Sequence, residues 1–176
     1  IINEGHTDFG ENKVQEAVEK WTSIKHDFPK IKLHLLGKLQ TNKVKFVIPL
    51  FDYIHSLDSI KLASKISEQQ IKKNFKPKVF IQINIGAEDQ KGGIHEENLN
   101  NFYKQCVEEF KLDIIGLMSI PPFDKDPKPY FIKMKELSNN LNLKEISMGM
   151  SNDYLEAIKQ GSTFIRIGSK IFGARD

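Results

Sequence analysis

The chain has 176 residues, enough for one domain over residues 1–176 with a sizeable core. Its 39% hydrophobic and 28% charged residues are ordinary for a globular protein, and its net charge of +3 is too small to indicate a nucleic-acid-binding surface. A single cysteine, Cys106, excludes an intramolecular disulfide. The sequence shows neither a signal peptide nor a transmembrane run, so we expect a cytoplasmic protein that does not bind membranes.

Segments with the pattern of strands alternate with segments with the pattern of helices along the whole chain. Strands are predicted at residues 6–9, 31–36, 53–57, 78–85, 112–120, 145–150 and 164–167. Helices are predicted at residues 13–24, 39–47, 59–73, 95–109, 130–141 and 152–160. This alternation, without a linker or a low-complexity segment, predicts a parallel sheet with crossover helices.

Two α/β architectures contain parallel strands joined by helices. With about seven strands visible, we expect a TIM-type (β/α)8 barrel whose first strand is missing from this chain. The alternative is an open doubly wound sheet. Such a sheet is expected to carry a glycine-rich fingerprint after its first strand, and the sequence has none.

The last strand–helix–strand unit, residues 145–173, shows two features of an anion site. Ser151 follows a strand directly and is predicted to be the N-cap of the next helix, which Gly161 ends in a left-handed conformation. Gly168 and Ser169 follow the next strand in the same way. Adjacent strand ends of this kind form a phosphate cradle, as the loops after strands seven and eight of a barrel often do. The alternative is a simple cap followed by a simple turn.

Arg166 is predicted to point into the barrel, because Ile165 and Ile167 occupy the opposite face of its strand. It lies two residues before the predicted phosphate cradle. A buried guanidinium needs a partner, which an anionic ligand would provide. The alternative is an edge-strand residue in a salt bridge with an acid.

Three further polar residues are expected to face the same pocket. Asn84 and His34 alternate with branched apolar residues in their strands, and Asn12 closes the first visible strand. For each one the alternative is a core polar group that is satisfied by the protein itself. The five histidines show no metal-ligand spacing, so no metal is expected, and Cys106 is predicted to be a core residue.

Several segments of the chain resemble the signatures of one protein family. They are FGENKVQE at 9–16, HLLGKLQTNK at 34–43, SLDS at 56–59 with KLA at 61–63, QIN at 82–84 with KGG at 91–93, GLM at 116–118, SMGMS at 147–151, and RIGS at 166–169 with IFGAR at 171–175. By these signatures, which cover the whole chain, it resembles the pyridoxal phosphate homeostasis proteins, the YggS or proline synthase co-transcribed family.

The resemblance implies a fold similar to the N-terminal barrel of alanine racemase and a bound pyridoxal 5′-phosphate. It implies a non-catalytic carrier or buffer in intracellular cofactor homeostasis, with pyridoxal-phosphate-dependent apoenzymes as possible recipients. The alternative is an amino-acid racemase of the same barrel type. By motif position, the phosphate would be held by Ser151, Gly168 and Ser169, and Arg166 would face the pyridine nitrogen. The pocket would also be lined by Asn12, His34, Asn84 and Met150.

The resemblance also places a Schiff-base lysine on the first barrel strand, upstream of Phe9. The sequence begins after that point, so no catalytic residue is assigned, and we expect both the first strand and the lysine to be missing from this chain. Racemases of this type usually carry a second, β-rich domain with a catalytic tyrosine, for which the chain leaves no room before Asp176. Nothing in the sequence requires a dimer, so a monomer is expected.

Overall fold

The computed structural model describes residues 1–88 and 90–173, so the last two residues of the IFGAR signature lie outside the described residues. Seven described strands form one parallel sheet in chain order: β1 (Asp8–Glu11), β2 (Lys32–Leu35), β3 (Tyr53–Leu57), β4 (Lys78–Ile83), β5 (Asp113–Ser119), β6 (Glu145–Met150) and β7 (Phe164–Arg166). The α-helices between and after them are α1 (Val14–Asp27), α2 (Val44–Val47), α3 (Ile60–Lys73), α4 (Leu99–Glu108), α5 (Lys128–Asn140), α6 (Tyr154–Lys159) and α7 (Ser169–Phe172). Short 3-10 turns lie at Ile2–Glu4, Thr41–Lys43 and Glu96–Asn98.

The sheet curls until a side chain of its last strand meets side chains of the second, third and fourth strands. The ring of Phe164 in β7 lies 5.8 Å from that of His34 in β2, 6.0 Å from that of His55 in β3 and 5.2 Å from that of Phe80 in β4. Within the described residues β1 and β7 are the two edges of the sheet. The sheet is therefore a nearly closed parallel barrel with helices around it, and the prediction of a TIM-type fold is confirmed.

The predicted strands are all present, and the bounds of β3 and β6 agree with the prediction. Strand β4 ends two residues early, at Ile83, because the next backbone N–H, that of Asn84, donates to the carbonyl of Ile94 in the following loop. The helix predicted at residues 39–47 is only a 3-10 turn and the single turn α2. Ile48 is extended there because it precedes Pro49.

The longer helices follow their sequence signals closely. Ser59 caps α3, and its hydroxyl accepts a hydrogen bond from the Leu62 N–H at 3.4 Å. Cys106 in α4 is fully buried, as predicted, and burial raises the pKa of its thiol to about 12. The thiol therefore stays protonated and packs as a small apolar group.

Candidate functional site

The carboxyl ends of β6 and β7 lie side by side, and each is followed by a residue of the predicted cradle. Ser151 follows β6 and is buried, while Gly168 follows β7. The backbone N–H of Gly168 donates a hydrogen bond to the hydroxyl of Ser151 at 3.3 Å. The two strand ends are thus joined at the point where the sequence places a phosphate.

The prediction that Ser151 caps helix α6 is wrong. The helix begins three residues later, at Tyr154, and Asp153 occupies the position before it. The carboxylate of Asp153 accepts a hydrogen bond from the Met150 N–H at 2.6 Å and so closes a turn after β6. Because the Ser151 hydroxyl contacts Gly168 instead, it faces the neighbouring strand. At the other end of the helix, Gly161 has a φ of +90°, as predicted.

Open space lies over Gly168. Among the described residues, a Cβ atom placed on Gly168 would meet no other atom within 4 Å, and its φ of −120° is one that other residues adopt. Ser169 begins the one-turn helix α7 directly after it. The first N–H groups of a helix have no acceptor within the helix, so they are available to a ligand. A hydroxyl and backbone N–H groups therefore border a space that an anionic group can enter.

Arg166 lies across the inner side of the sheet beside this space, as predicted. Its Nη1 donates to the hydroxyl of Ser147 at 2.7 Å and its Nη2 to the carbonyl of Ser119 at 2.9 Å. Neither partner is a carboxylate, and these two bonds use only part of the five N–H donors of a guanidinium. Burial lowers the pKa of Arg166 to about 10, although the nearby negative charge of Asp153 acts to raise it. The guanidinium is therefore a cation at neutral pH. Its free donors suit an acceptor on a ligand.

Ser119, at the end of β5, carries a second unused polar group. Its side chain is fully buried, and its hydroxyl has no hydrogen-bond partner among the residues that the structure describes. Unpaired buried polar groups are rare in folded proteins. This hydroxyl belongs to the residue whose carbonyl accepts from Arg166, and together with the open space at Gly168 it is consistent with a polar ligand at the barrel mouth.

His34 is connected to Arg166 through two residues that were not predicted from the sequence. Its Nδ1 lies 3.0 Å from Nε2 of His55, and Nδ1 of His55 lies 2.9 Å from the hydroxyl of Ser147. At the other side, Nε2 of His34 lies 3.1 Å from Oδ1 of Asp8. The signal for His55 is a weaker form of the one that identified His34, because His55 lies between the apolar Ile54 and the polar Ser56 in its strand.

The remaining predicted residues differ in their placement. Met150 pairs with Arg166 in the sheet and so lies at the same barrel mouth. The Asn84 side chain is engaged by its own loop, since its Oδ1 accepts from the Glu88 N–H at 3.1 Å and its Nδ2 donates to the Glu88 carbonyl at 2.9 Å. This contact favours the alternative of a satisfied core polar group. Asn12 is exposed after the end of β1.

The protonation states of His34, His55 and Asp8 follow from their surroundings. Burial lowers the pKa of His34, partly offset by Asp8, and burial together with the charges of His34 and Arg166 lowers the pKa of His55 well below its usual value. Burial opposes ionisation of Asp8, but hydrogen bonds from Thr7 and His34 outweigh it and hold its pKa below the usual value. Both imidazoles are thus neutral at pH 7 and Asp8 is ionised.

The lowered pKa values of His34 and His55 predict that the protein loses stability as the pH falls below about 6.5. Unfolded histidines bind protons there, whereas the folded His34 and His55 resist protonation, so the unfolded state takes up more protons. The free energy of unfolding should fall by up to about 1.4 kcal/mol per pH unit for each histidine. Urea unfolding at pH 7.5 and 5.5 measures this. The variant His55→Phe should show a shallower dependence, and an equal dependence in both proteins would contradict the explanation.

In the part of the chain that the structure describes, no helix combines the length and the apolar character needed to cross a bilayer. Nor do His, Cys, Asp and Glu side chains there come together in a group of three or more that is suited to a metal ion.

Comparisons with known proteins point to one family. A family profile described as "Alanine racemase, N-terminal domain" matches residues 1–176. The pyridoxal phosphate homeostasis protein of Aquifex aeolicus is 40% identical over 176 residues, which are 95% of this chain and 76% of the relative. The protein of the same name from Haemophilus influenzae is 40% identical over 182 residues, with 98% and 77% covered.

Two solved structures resemble this chain, one in both sequence and fold and the other in fold alone. PipY of Synechococcus elongatus, in a structure with pyridoxal phosphate bound, is 34% identical and has a TM-score of 0.88. The match covers 98% of this chain and 84% of PipY. Alanine racemase of Clostridium difficile has a TM-score of 0.72 at 16% identity, with 99% of this chain and 47% of that chain covered. The second likeness is one of fold alone.

Proposed function

The chain belongs to the pyridoxal phosphate homeostasis protein family, and from this premise we propose that it binds pyridoxal 5′-phosphate at the carboxyl ends of β6 and β7. We further propose that it acts as a non-catalytic carrier or buffer of the cofactor. The observation that carries the proposal is the partly buried Arg166 guanidinium, which has unused donors beside the open space at Gly168.

The phosphate would be held by Ser151, Gly168 and Ser169. The hydroxyl of Ser151 and the N–H of Gly168 already lie within 3.3 Å of each other, and the first N–H groups of α7 begin at the next residue. Backbone N–H groups of a first turn have no acceptor within the helix and can therefore donate hydrogen bonds to an anion. Because Gly168 lacks a side chain, the backbone can be approached closely there.

The pyridine ring would lie against Arg166, with Met150 as its neighbour across the β6–β7 ladder. When bound, the cofactor supplies an electron sink whose strength depends on protonation of its ring nitrogen. The fixed positive charge of Arg166 disfavours a second positive charge on that nitrogen. This residue therefore binds and orients the ring but weakens it as an electron sink, which suits a carrier.

The proposal is tested by titrating the full chain with pyridoxal 5′-phosphate and following the absorbance of the cofactor. We expect saturation at one equivalent per chain and no conversion of L-alanine to D-alanine by the loaded protein. We also expect the loaded protein to reactivate a pyridoxal-phosphate-dependent apoenzyme. Absence of binding would contradict the proposed site, whereas robust racemisation would replace the carrier by the alternative, a racemase of the same barrel type.

A further inference from the structure

Five side chains form one continuous chain of hydrogen bonds through the barrel interior. It runs from Asp8, at the amino end of β1, through His34, His55 and Ser147 to Arg166, at the carboxyl end of β7. Asp8 is half exposed, whereas both histidines and Ser147 are buried. This chain of hydrogen bonds therefore connects solvent at one end of the barrel with the proposed cofactor site at the other.

The direction of every bond in this chain is fixed by its two ends. The Asp8 carboxylate can only accept, so Nε2 of His34 carries the hydrogen and its Nδ1 must accept. Nε2 of His55 therefore donates to His34, and Nδ1 of His55 accepts from the Ser147 hydroxyl. Ser147 in turn accepts from Arg166, which can only donate. With neutral imidazoles, no other arrangement satisfies all four bonds.

From this arrangement we infer that Asp8, His34, His55 and Ser147 are positioning residues for Arg166. They hold its guanidinium so that its unused donors face the ring of pyridoxal 5′-phosphate. The inference rests on the proposed function, and it assigns a role to side chains that do not themselves touch the cofactor.

Ring stacking restricts the orientation of both imidazoles. The His34 ring stacks on Tyr53 with centroids 4.2 Å apart, and the His55 ring stacks on Phe80 at 4.3 Å. The ring planes are thus fixed, and only the position of each hydrogen can vary. The bond dipoles also point from the cation at Arg166 toward the anion at Asp8, which is their favourable direction.

Other charged groups lie near the ends of this chain of hydrogen bonds. Asp52 and Lys25 act on His34 with opposite sign, and Asp153 acts on Arg166. Lys25 and Asp52 pair with each other at 2.7 Å, so their fields largely cancel at the imidazole. Asp8 is therefore the carboxylate that sets the direction of the bonds at that end.

The first test needs no cofactor. Long-range 1H–15N spectra of the full chain with 15N-labelled histidine distinguish the two neutral tautomers and the imidazolium. At pH 7.5 we expect both His34 and His55 as neutral Nε2–H tautomers. A hydrogen on Nδ1 of either ring, or a charged ring, would overturn the inference while leaving the proposed function untouched.

The second test compares two serine variants in the presence of the cofactor. Ser147→Ala removes the donor to His55 and an acceptor of Arg166. Ser138→Ala removes a hydroxyl that is equally buried but donates to the Leu143 carbonyl at 2.9 Å, outside the chain. We expect Ser147→Ala to weaken pyridoxal 5′-phosphate binding about fivefold, the effect of one hydrogen bond. The 15N signal of the labelled pyridine nitrogen should shift in this variant alone.

The outcomes separate the two hypotheses. If the wild-type protein binds no pyridoxal 5′-phosphate, the proposed function fails and the inference fails with it. If the wild type binds and Ser147→Ala matches Ser138→Ala in both affinity and pyridine 15N signal, only the positioning role fails. A shifted histidine tautomer in Ser147→Ala, together with weaker binding, would support the inference.

Discussion

Replacing Gly168 by leucine is expected to lower the affinity for pyridoxal 5′-phosphate at least about a hundredfold while the protein remains folded. The new side chain would occupy the space in which the phosphate is proposed to lie, so at least two charge-assisted hydrogen bonds would be lost. Such bonds are worth about 1.5–3 kcal/mol each. The fold should tolerate the change, because a Cβ at this position meets no atom of the described residues within 4 Å and φ is not positive.

The affinity is measured by absorbance titration and the fold by thermal unfolding. Gly168→Ala is the graded control, since its single methyl group should weaken binding less than leucine does. Undiminished binding by Gly168→Leu would mean that the phosphate lies elsewhere. Loss of binding with a collapsed unfolding temperature would show that the substitution acts on the fold, and Gly168→Ala would then decide the point.

Replacing Arg166 by methionine is expected to lower the affinity for pyridoxal 5′-phosphate about ten- to a hundredfold, the effect of a hydrogen bond to a charged group. The apolar side chain has a similar length but carries neither donors nor charge. The pKa of the bound pyridine nitrogen should rise, because a fixed positive charge no longer opposes its protonation. Absorbance spectra of the bound cofactor across the pH range measure this rise.

Arg166→Lys separates charge from shape. Lysine keeps the positive charge but loses the planar fork of donors that reaches both Ser147 and Ser119. We therefore expect the pyridine nitrogen to stay unprotonated in this variant, with an affinity between those of the wild type and Arg166→Met. A pyridine nitrogen that titrates alike in all three proteins would show that Arg166 is not near the ring.

The architecture was predictable because strand and helix patterns alternate with little ambiguity. The bounds of Tyr53–Leu57 and Glu145–Met150 agree with the prediction, and the left-handed Gly161 was predicted from local signals alone. These features depend on residues adjacent in sequence, and a single sequence records such signals well.

The structure departs from the sequence pattern where a contact outside the strand outweighs a local preference. Ser151 has the residue type of an N-cap, but its hydroxyl accepts from Gly168, and Asp153 takes the position before the helix. Asn84 has the alternation of an inward-facing residue, but its amide matches the backbone of Glu88 in the next loop. Neither partner is visible in the pattern of a single strand.

The site was predictable in part for the same reason. Arg166, Gly168 and Ser151 lie in one strand–helix–strand unit, and their proximity follows from the topology of parallel sheets. The chain through His55 and Ser147 joins β3 to β6, 92 residues apart in sequence. Inward alternation marks both residues as polar positions of the interior, but only the closure of the barrel shows that they touch.

The most direct test of the central claim is a crystal structure of the full chain grown with pyridoxal 5′-phosphate. The account predicts the phosphate between Ser151 and Gly168–Ser169 and the pyridine nitrogen within hydrogen-bonding distance of Arg166. Cofactor density at any other place, with the Gly168 space filled only by water, would contradict it.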